Sequence, residues 1–348
     1  MKATTLEQYS AYLQRQAELN NLPFNVLSEQ RKFNVTPSVQ QTIYEKLRES
    51  SAFLGAISFV FPEEQQGETL GLDSNNTIAG TTDTSGDQTR KTSDIASLIK
   101  QTYFCQQINF DTHITYARLD MWAKFPDFQK RVAAVALKQK KRDLIMVGFN
   151  GTSRAPTSNR QQNPLLQDVG VGWLEKIRLN APQRNMNGKE VGNQVLVGKG
   201  QRYDNLDALV MDATEELIDE WHRDDTDLVV IVGRKLLADK YFPIVNKENA
   251  PTEQLAADVI ISQKRIGGLK AVRVPFFPAN AILITKLENL AIYVQEGTTR
   301  KHIKDVPERD RIETYESENL DYIVEDYGCT ALIENITLED KVEDKANG

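Results

Sequence analysis

Between Pro126 and Gly148 the chain reads PDFQKRVAAVALKQKKRDLIMVG, a pattern that predicts one continuous helix. At 1.5 Å per residue it would be about 33 Å long, the width of a small domain. Pro126 suits the first helical position, where its missing N–H costs nothing, and Asp127 puts negative charge at the positive end of the helix dipole. Phe128, Val132 and Val135 form an apolar stripe at helical spacing, while Lys130, Arg131, Lys138, Lys140, Lys141 and Arg142 supply charge around the rest. Leu144 to Val147 are apolar all round, so the last turn should be buried before Asn150 and Gly151 stop it. A helix this long, half wet and half buried, suggests a spine with the rest of the chain arranged around it.

Ahead of the spine, residues 4–20 spell an amphipathic helix, with Thr4 and Glu7 at capping-box spacing and Leu6, Tyr9, Leu13 and Ala17 on one face. A connector ends in Arg31, Lys32, Phe33 and Asn34, and Thr36 with Pro37 opens the next helix. Residues 1–33 therefore read as a separable segment, although a helix docked on the body fits the same pattern. The period then changes to two in ISFVFP, ETLGL and FCQQINFDTHITY, which predicts long strands. Between them, residues 73–94 are rich in Gly, Ser, Thr, Asp and Asn and cannot build a core. The whole makes an extended β-arm suited to touching a neighbouring molecule, or else a surface loop.

Beyond the spine, residues 150–203 are irregular, with a short helix near Trp173 and a glycine-dotted hairpin around QVLVGKG. From Asn205 the pattern is α/β: a helix LDALVMDATEELIDEW, a buried strand DLVVIVG, helices RKLLADKYF and TEQLAADVIISQKRI, then strands KAVRVPFF, AILITKL and LAIYVQEG. This predicts a second domain. The tail from Arg309 alternates again and could return as a strand to the sheet beside the spine.

Chemistry-bearing motifs are missing. GNQVLVGKG has the wrong spacing for a phosphate loop and ends in glycine where Ser or Thr should hold magnesium, and VIVGRKLLA has only Gly233 of the spaced glycines of a nucleotide fingerprint. No cofactor is implied. His113, His222 and His302 lie far apart, Cys105 and Cys329 are too few for a disulfide framework or a four-thiolate zinc site, and GxSxG is absent. The carboxylate groups Asp224, Asp225 and Asp227, and Glu316, Glu318, Asp321, Glu325 and Asp326, read as solvated turns and faces. A net charge of −7 argues against a surface made to coat DNA or an anionic membrane. The basic run Lys138 to Arg142 lacks stacking aromatics and a known recognition helix, so it fits acidic surfaces of neighbouring copies better than nucleic acid. There is neither an apolar run long enough to span a membrane nor a hydrophobic signal core near the N-terminus.

Several long stretches together resemble one family, the major capsid proteins of P2-type temperate myophages (peduoviruses). They are RESSAFL, QINFDTHITYARLDMWAKFPDFQKR, VGFNGTSRAPTSNRQQNPLLQDVGVGWL, DALVMDATEELI, DLVVIVGRKLLADKYFPIVNKE, LAADVIISQKRIGGLKAVRVPFFPANAILITKLENLAIY and YESENLDYIVEDY. The resemblance covers almost the entire chain. It implies an α+β fold, the Hong Kong-97-like capsid fold of tailed phages and herpesviruses. On that reading residues 34–54 are the N-terminal arm and 55–116 the extended β-hairpin loop. Residues 117–205 and 306–340 make the peripheral domain, with its spine helix at 126–148, and 206–305 the axial domain. Residues 341–348 are a polar tail.

The resemblance further implies homo-hexamers and homo-pentamers closing into an icosahedral head around non-specifically packed double-stranded DNA, assembled in the host bacterial cytoplasm and retained in the virion. Implied partners are an internal scaffold and protease, a portal protein and head-completion or decoration proteins. Relatives lose an N-terminal segment on maturation, and the matching junction is Phe33 followed by Asn34. Candidate contacts between copies are Lys138, Lys140, Lys141 and Arg142 on the spine and Glu68, Asp83, Asp87 and Arg90 on the loop. The competing readings are a cytosolic α/β enzyme with residues 206–305 as its catalytic domain, and a tail or baseplate component.

Overall fold

The computed structural model describes residues 1–70, 79–85, 89–90, 92, 100–125, 127–189, 192–245 and 264–339. The chain divides into two compact units, one of residues 1–66, 104–172 and 291–323, the other of the described parts of 67–103, 173–290 and 324–348. These cuts fall elsewhere than the boundaries expected at 205/206 and 305/306, and strand pairing gives the reason. Strand Val195–Val197 lies parallel to Ile336–Leu338 and shares a core with Leu206 and Leu209, so 173–205 joins the second unit. Strand Arg300–Val306 runs antiparallel to Arg311–Val324, which draws the end of the expected axial domain into the first.

In the first unit most strands are organised by the 14-residue strand Arg311–Val324, the returning tail strand that the sequence pattern anticipates. The seven-stranded sheet runs in the order Phe33–Asn34, Arg300–Val306, Arg311–Val324, Leu290–Val294, Ser58–Val60, and Gln106–Asn109 and Thr112–Thr115 also pair with the long strand. The strands on either side of the extended loop thus join this sheet. Its next strands, Gln66–Leu70 and Lys100–Phe104, pair with each other, and most of the loop's tip, Asp87 included, lies outside the described residues.

The spine is a helix from Phe128 to Asn150 with Asp127 at its N-cap; Pro126 falls outside the described residues. Phe128, Leu144, Ile145, Val147 and Phe149 are buried. The stripe predicted through Val135 is wrong, because Val135 is 46% exposed whereas Lys140 is only 6% exposed. Lys140, Leu144 and Val147 recur at four and three residues, and this is the face that turns inward. At the C-terminal end the N–H of Gly151 donates to the carbonyl of Val147 at 2.8 Å, and that of Gly172 to Gly151 at 3.0 Å. A Cβ on Gly151 would strike the carbonyl of Gly170 and come within 2.7 Å of that of Val147. One on Gly172 would strike the carbonyls of Val147 and Gly148.

The first helix spans Ala3–Leu19 with Lys2 at its N-cap, so Thr4 lies inside the helix and the expected capping box does not form. Its buried face is Thr5, Tyr12, Leu13 and Ala17, rotated from the predicted one, and Leu6 is exposed. The arm helix Pro37–Glu49 begins with proline as expected and buries Gln40, Tyr44 and Leu47.

In the second unit a six-stranded mixed sheet runs in the order Arg265–Ile266, Leu269–Val272, Leu228–Val232, Ile282–Lys286, Ala331–Ile333, Asn185–Met186. All five residues of Leu228–Val232 are buried, as a continuous apolar run predicts for a strand covered on both faces. Helix Leu206–Leu217 packs Leu206, Leu209, Val210 and Ala213 into this core, and Asn205 caps it by accepting the Ala208 N–H. The longer predicted helix breaks where Ile218 turns extended and buries its side chain, and a short helix Glu220–Arg223 follows. The expected QVLVGKG hairpin is instead the parallel pairing of Val195–Val197 with Ile336–Leu338. Of the helix expected over 252–266, residues up to 263 lie outside the described residues, and Arg265–Ile266 is strand.

Gly172→Ala should therefore destabilise the purified chain by about 1–3 kcal/mol, the usual cost of forcing atoms into a filled site. Urea unfolding measures it, and an unchanged midpoint would mean that the spine's end tolerates a side chain.

Candidate functional site

Two features of the first unit bear on function, a buried cluster of charges and the docking of the N-terminal segment. The cluster is built from three directions. The spine helix contributes Lys140, the arm helix Tyr44, and the long strand Glu316 and Glu318, two residues apart and hence on one face. Lys140 Nζ donates to Glu316 Oε1 and to Glu318 Oε2, each at 2.9 Å. Tyr44 donates its hydroxyl to Glu318 Oε1 at 2.5 Å. Lys301, in register opposite Glu316 on the neighbouring strand, lies 3.1 Å from Glu316 Oε2. The Lys140 ammonium also sits 5.2 Å from the ring centre of Tyr44 and 5.0 Å from that of Phe110, within reach of both negative faces.

Two cations and two anions thus alternate in a nearly dry site. Burial works against the charged form of Lys140, but Glu316 and Glu318 outweigh it and the pKa rises above the ordinary 10.5. Burial would raise Glu316, but Lys140 and Lys301 prevail and hold it well below the ordinary 4.5. Both groups are driven away from neutrality, the opposite of what proton shuttling requires. The arrangement fastens helices to a sheet and has no group poised for acid–base work.

This cluster corrects two sequence expectations. Glu316 and Glu318 are not solvated, and Lys140 is not on a wet basic face, because its ammonium is committed to carboxylates of its own chain. Of the other spine candidates, Lys138 and Arg142 are exposed, and Lys141 donates to the backbone carbonyl of Ser50 at 2.8 Å. On the loop Glu68, Asp83 and Arg90 are exposed, and Asp83 is held below its ordinary pKa by hydrogen bonds from the Ser85 side chain and N–H. The buried pattern had a signal. Glu316 and Glu318 share strand parity with Leu320 and Tyr322, and Lys140 shares helical phase with Leu144 and Val147.

The segment ahead of the candidate junction is docked at several points. Tyr12, Leu13, Ala17, Leu27 and Phe33 share one apolar cluster with Leu119, Phe128, Ile303 and Ile312. Asp120 accepts from the Lys2 N–H at 2.9 Å and from the Thr5 hydroxyl at 2.6 Å. Phe33 and Asn34 pair antiparallel with Lys301 and Arg300. Just before them, the Gln30 carbonyl lies 2.8 Å from His302 Nε2, and its side-chain oxygen accepts the Asp305 N–H at 3.2 Å. Phe33 and Asn34, picked from sequence as a junction, therefore form the edge strand of the sheet, with the Phe33 ring buried.

Elsewhere His222 Nε2 lies 2.8 Å from Asp326 Oδ2, and Cys105 and Cys329 are both buried thiols. Among the described residues no group of three His, Cys, Asp or Glu could hold a metal ion, and no helix is long and apolar enough to cross a membrane.

Residues 8–336 match the family described as phage major capsid protein, P2 family. The chain is 52% identical over 346 residues to a protein of Escherichia phage P2 described as capsid proteins, covering 98% of this chain and 96% of that one. It is 40% identical over 345 residues to the major capsid protein of Serratia phage KSP20, covering 97% and 98%. Among solved structures it is similar to a chain of the satellite phage P4 procapsid including size determination (Sid) protein. There the TM-score is 0.81 and the identity 49%, with 98% of this chain and 100% of that chain covered.

Removing the Lys140 ammonium strands buried carboxylates. Lys140→Met should lower the unfolding free energy by about 3–5 kcal/mol, and adding Glu318→Gln should restore a large part of it. Urea midpoints of the two variants decide this, and a wild-type midpoint for the single variant would dismiss the cluster as a fastening. The pH dependence has a definite sign. The depressed Glu316 contributes stability that is fully present above its ordinary 4.5 and lost as pH falls towards its folded value. The raised Lys140 contributes stability fully present below 10.5 and lost only as pH rises beyond it. Acid unfolding curves should therefore be shallower below 4.5 in Glu316→Gln than in the wild type, and superimposable curves would contradict the assignment.

Proposed function

From the premise that this chain belongs to the P2 family of phage major capsid proteins, we propose that its copies form hexamers and pentamers that close into an icosahedral head around double-stranded DNA. The observation that carries the reading is likeness along nearly the whole chain, 52% identity over 98% of it. The chemistry is that of a building block. A shell holds by many contacts, each weak alone and strong together because the others fix the geometry. Exposed Lys138 and Arg142 on the spine, and Glu68, Asp83 and Arg90 on the loop, are suited to such contacts. The overall charge of −7 suits a container whose packed DNA must slide rather than adhere.

The same reading gives the segment ahead of Phe33 and Asn34 a role in the precursor: it is trimmed by a protease associated with the internal scaffold. A portal and head-completion or decoration proteins complete the set of partners. The trimming reading rests on the resemblance at the junction, which lies where the docked segment gives way to the arm helix.

Co-expression with a cognate scaffold protein should yield closed shells in negative-stain micrographs. Small compact particles alone would refute a capsid role, and tubes or rings would favour a tail component. With an active scaffold protease, mass spectrometry of the shells should show a chain shortened by about the segment ahead of Asn34. Mature shells whose subunits retain Met1 would exclude trimming.

A further inference from the structure

The second unit carries opposite charges at the two ends of one buried strand. Residues 204–227, which lead into strand Leu228–Val232, hold ten Asp or Glu against one Arg. Several of these acids are committed within the unit: Asp225 to Lys286 at 2.5 Å, Asp219 to Arg184 at 2.7 Å and Asp207 to Lys240 at 2.6 Å. Glu220, Asp224 and Asp227 are exposed and have no ion-pair partner among the described residues. Between them Trp221 is 58% exposed, an unusual setting for the largest apolar side chain.

At the other end of the strand the sign reverses. Arg234 and Lys235 follow Gly233 and are exposed. Register brings a third cation alongside: Val272 pairs with Ile231, so exposed Arg273 comes level with the strand's last residue. The loop that Arg273 opens is clamped to this end, since a Cβ on Gly233 would come within 2.6 Å of the Pro278 carbonyl. That loop carries Phe276, 36% exposed and at φ 64°, a conformation that bulky residues rarely adopt. Five residues of strand separate the two ends by about 17 Å.

A ring of identical copies needs two different surfaces on each chain that complement one another, because its contacts are head to tail. The second unit supplies such a pair, with matched charge and one exposed aromatic at each end. We propose that the acidic end around Glu220, Trp221, Asp224 and Asp227 of one copy docks on the basic end around Arg234, Lys235, Arg273 and Phe276 of the next. Nucleic acid at the basic end would leave the acidic end and Trp221 without a counterpart, so a second copy of this chain is the better occupant. The inference rests on the reading of the chain as a self-assembling shell protein.

Charge exchange tests it. One variant reverses the basic end (Arg234→Glu, Lys235→Glu, Arg273→Glu), a second the acidic end (Glu220→Lys, Asp224→Lys, Asp227→Lys), and a third carries both sets. After co-expression with the scaffold, shell yield should fall at least about tenfold for each single-end variant, since like charges face each other, and return for the combined variant. Wild-type yields from the single-end variants would overturn the contact. So would a combined variant as poor as the other two when all three melt like the wild type. Should a reversed set melt early, the milder pair Lys235→Gln with Arg273→Gln reads the same contact. In vitro assembly should lose most of its salt dependence in that pair, and a wild-type salt dependence would overturn the proposal. Absence of shells from the wild type would count against the capsid reading itself, whereas wild-type shells alongside unaffected variants would remove only this contact.

Discussion

A lysine ammonium buried between two glutamates can persist only if its partners are held in place, because an unpaired ion in a dry site costs several kcal/mol. In the first unit that condition fixes much else. Lys140 must face inward, which sets the rotation of the spine helix. Glu316 and Glu318 must share the buried face of strand Arg311–Val324, and a slip of one residue would send both to the other face. Tyr44 must reach Glu318, which places the arm helix, and Lys301 must oppose Glu316, which fixes the pairing of Arg300–Val306. Apolar residues of similar volume would hold these pieces as tightly, with less discrimination among rotations and registers.

The features legible in the sequence were those written as period and punctuation. The spine announced itself by its length and by Asn150 and Gly151 at its end, the strand Leu228–Val232 by an unbroken apolar run, and the arm helix by Thr36 and Pro37. Runs such as DLVVIVGRKLLADKYFPIVNKE carried the family resemblance, and with it the capsid fold. What stayed hidden involved residues whose chemistry argues against their location. A lysine within KQKKR looks solvated, and a strand reading ESENLDYIV looks wet at its start, because hydrophobicity patterns score each side chain alone and cannot see a partner 176 or 178 residues away. Parity along the strand and phase along the helix held the information, but only a pairing gives it meaning. The division into these two units is illegible for a similar reason. The parallel pairing of Val195–Val197 with Ile336–Leu338 joins segments that no local pattern connects.

The two glycines at the end of the spine add a different constraint. Gly151 and Gly172 let three stretches of backbone approach more closely than any side chain would permit. A long helix is stiff, and where it is pinned determines which end transmits force. Here the pinned end is the mostly buried one, Leu144 to Phe149, while the stretch from Ala133 to Ala136 nearer the other end is exposed.

The pairing of Phe33 and Asn34 with strand Arg300–Val306 has a kinetic consequence. Backbone that lies in a sheet with a buried ring cannot enter a protease cleft, which needs an extended, accessible chain. A protease acting there would reach only the fraction of molecules in which the edge strand has opened, at a rate that follows the free energy of that local opening. Loosening the contacts of Tyr12, Leu13, Thr5 or Gln30 would then expose this backbone without altering the bond itself. On the proposal that this segment is trimmed, its docking would act as a clock whose speed is set by packing some distance from the site it times.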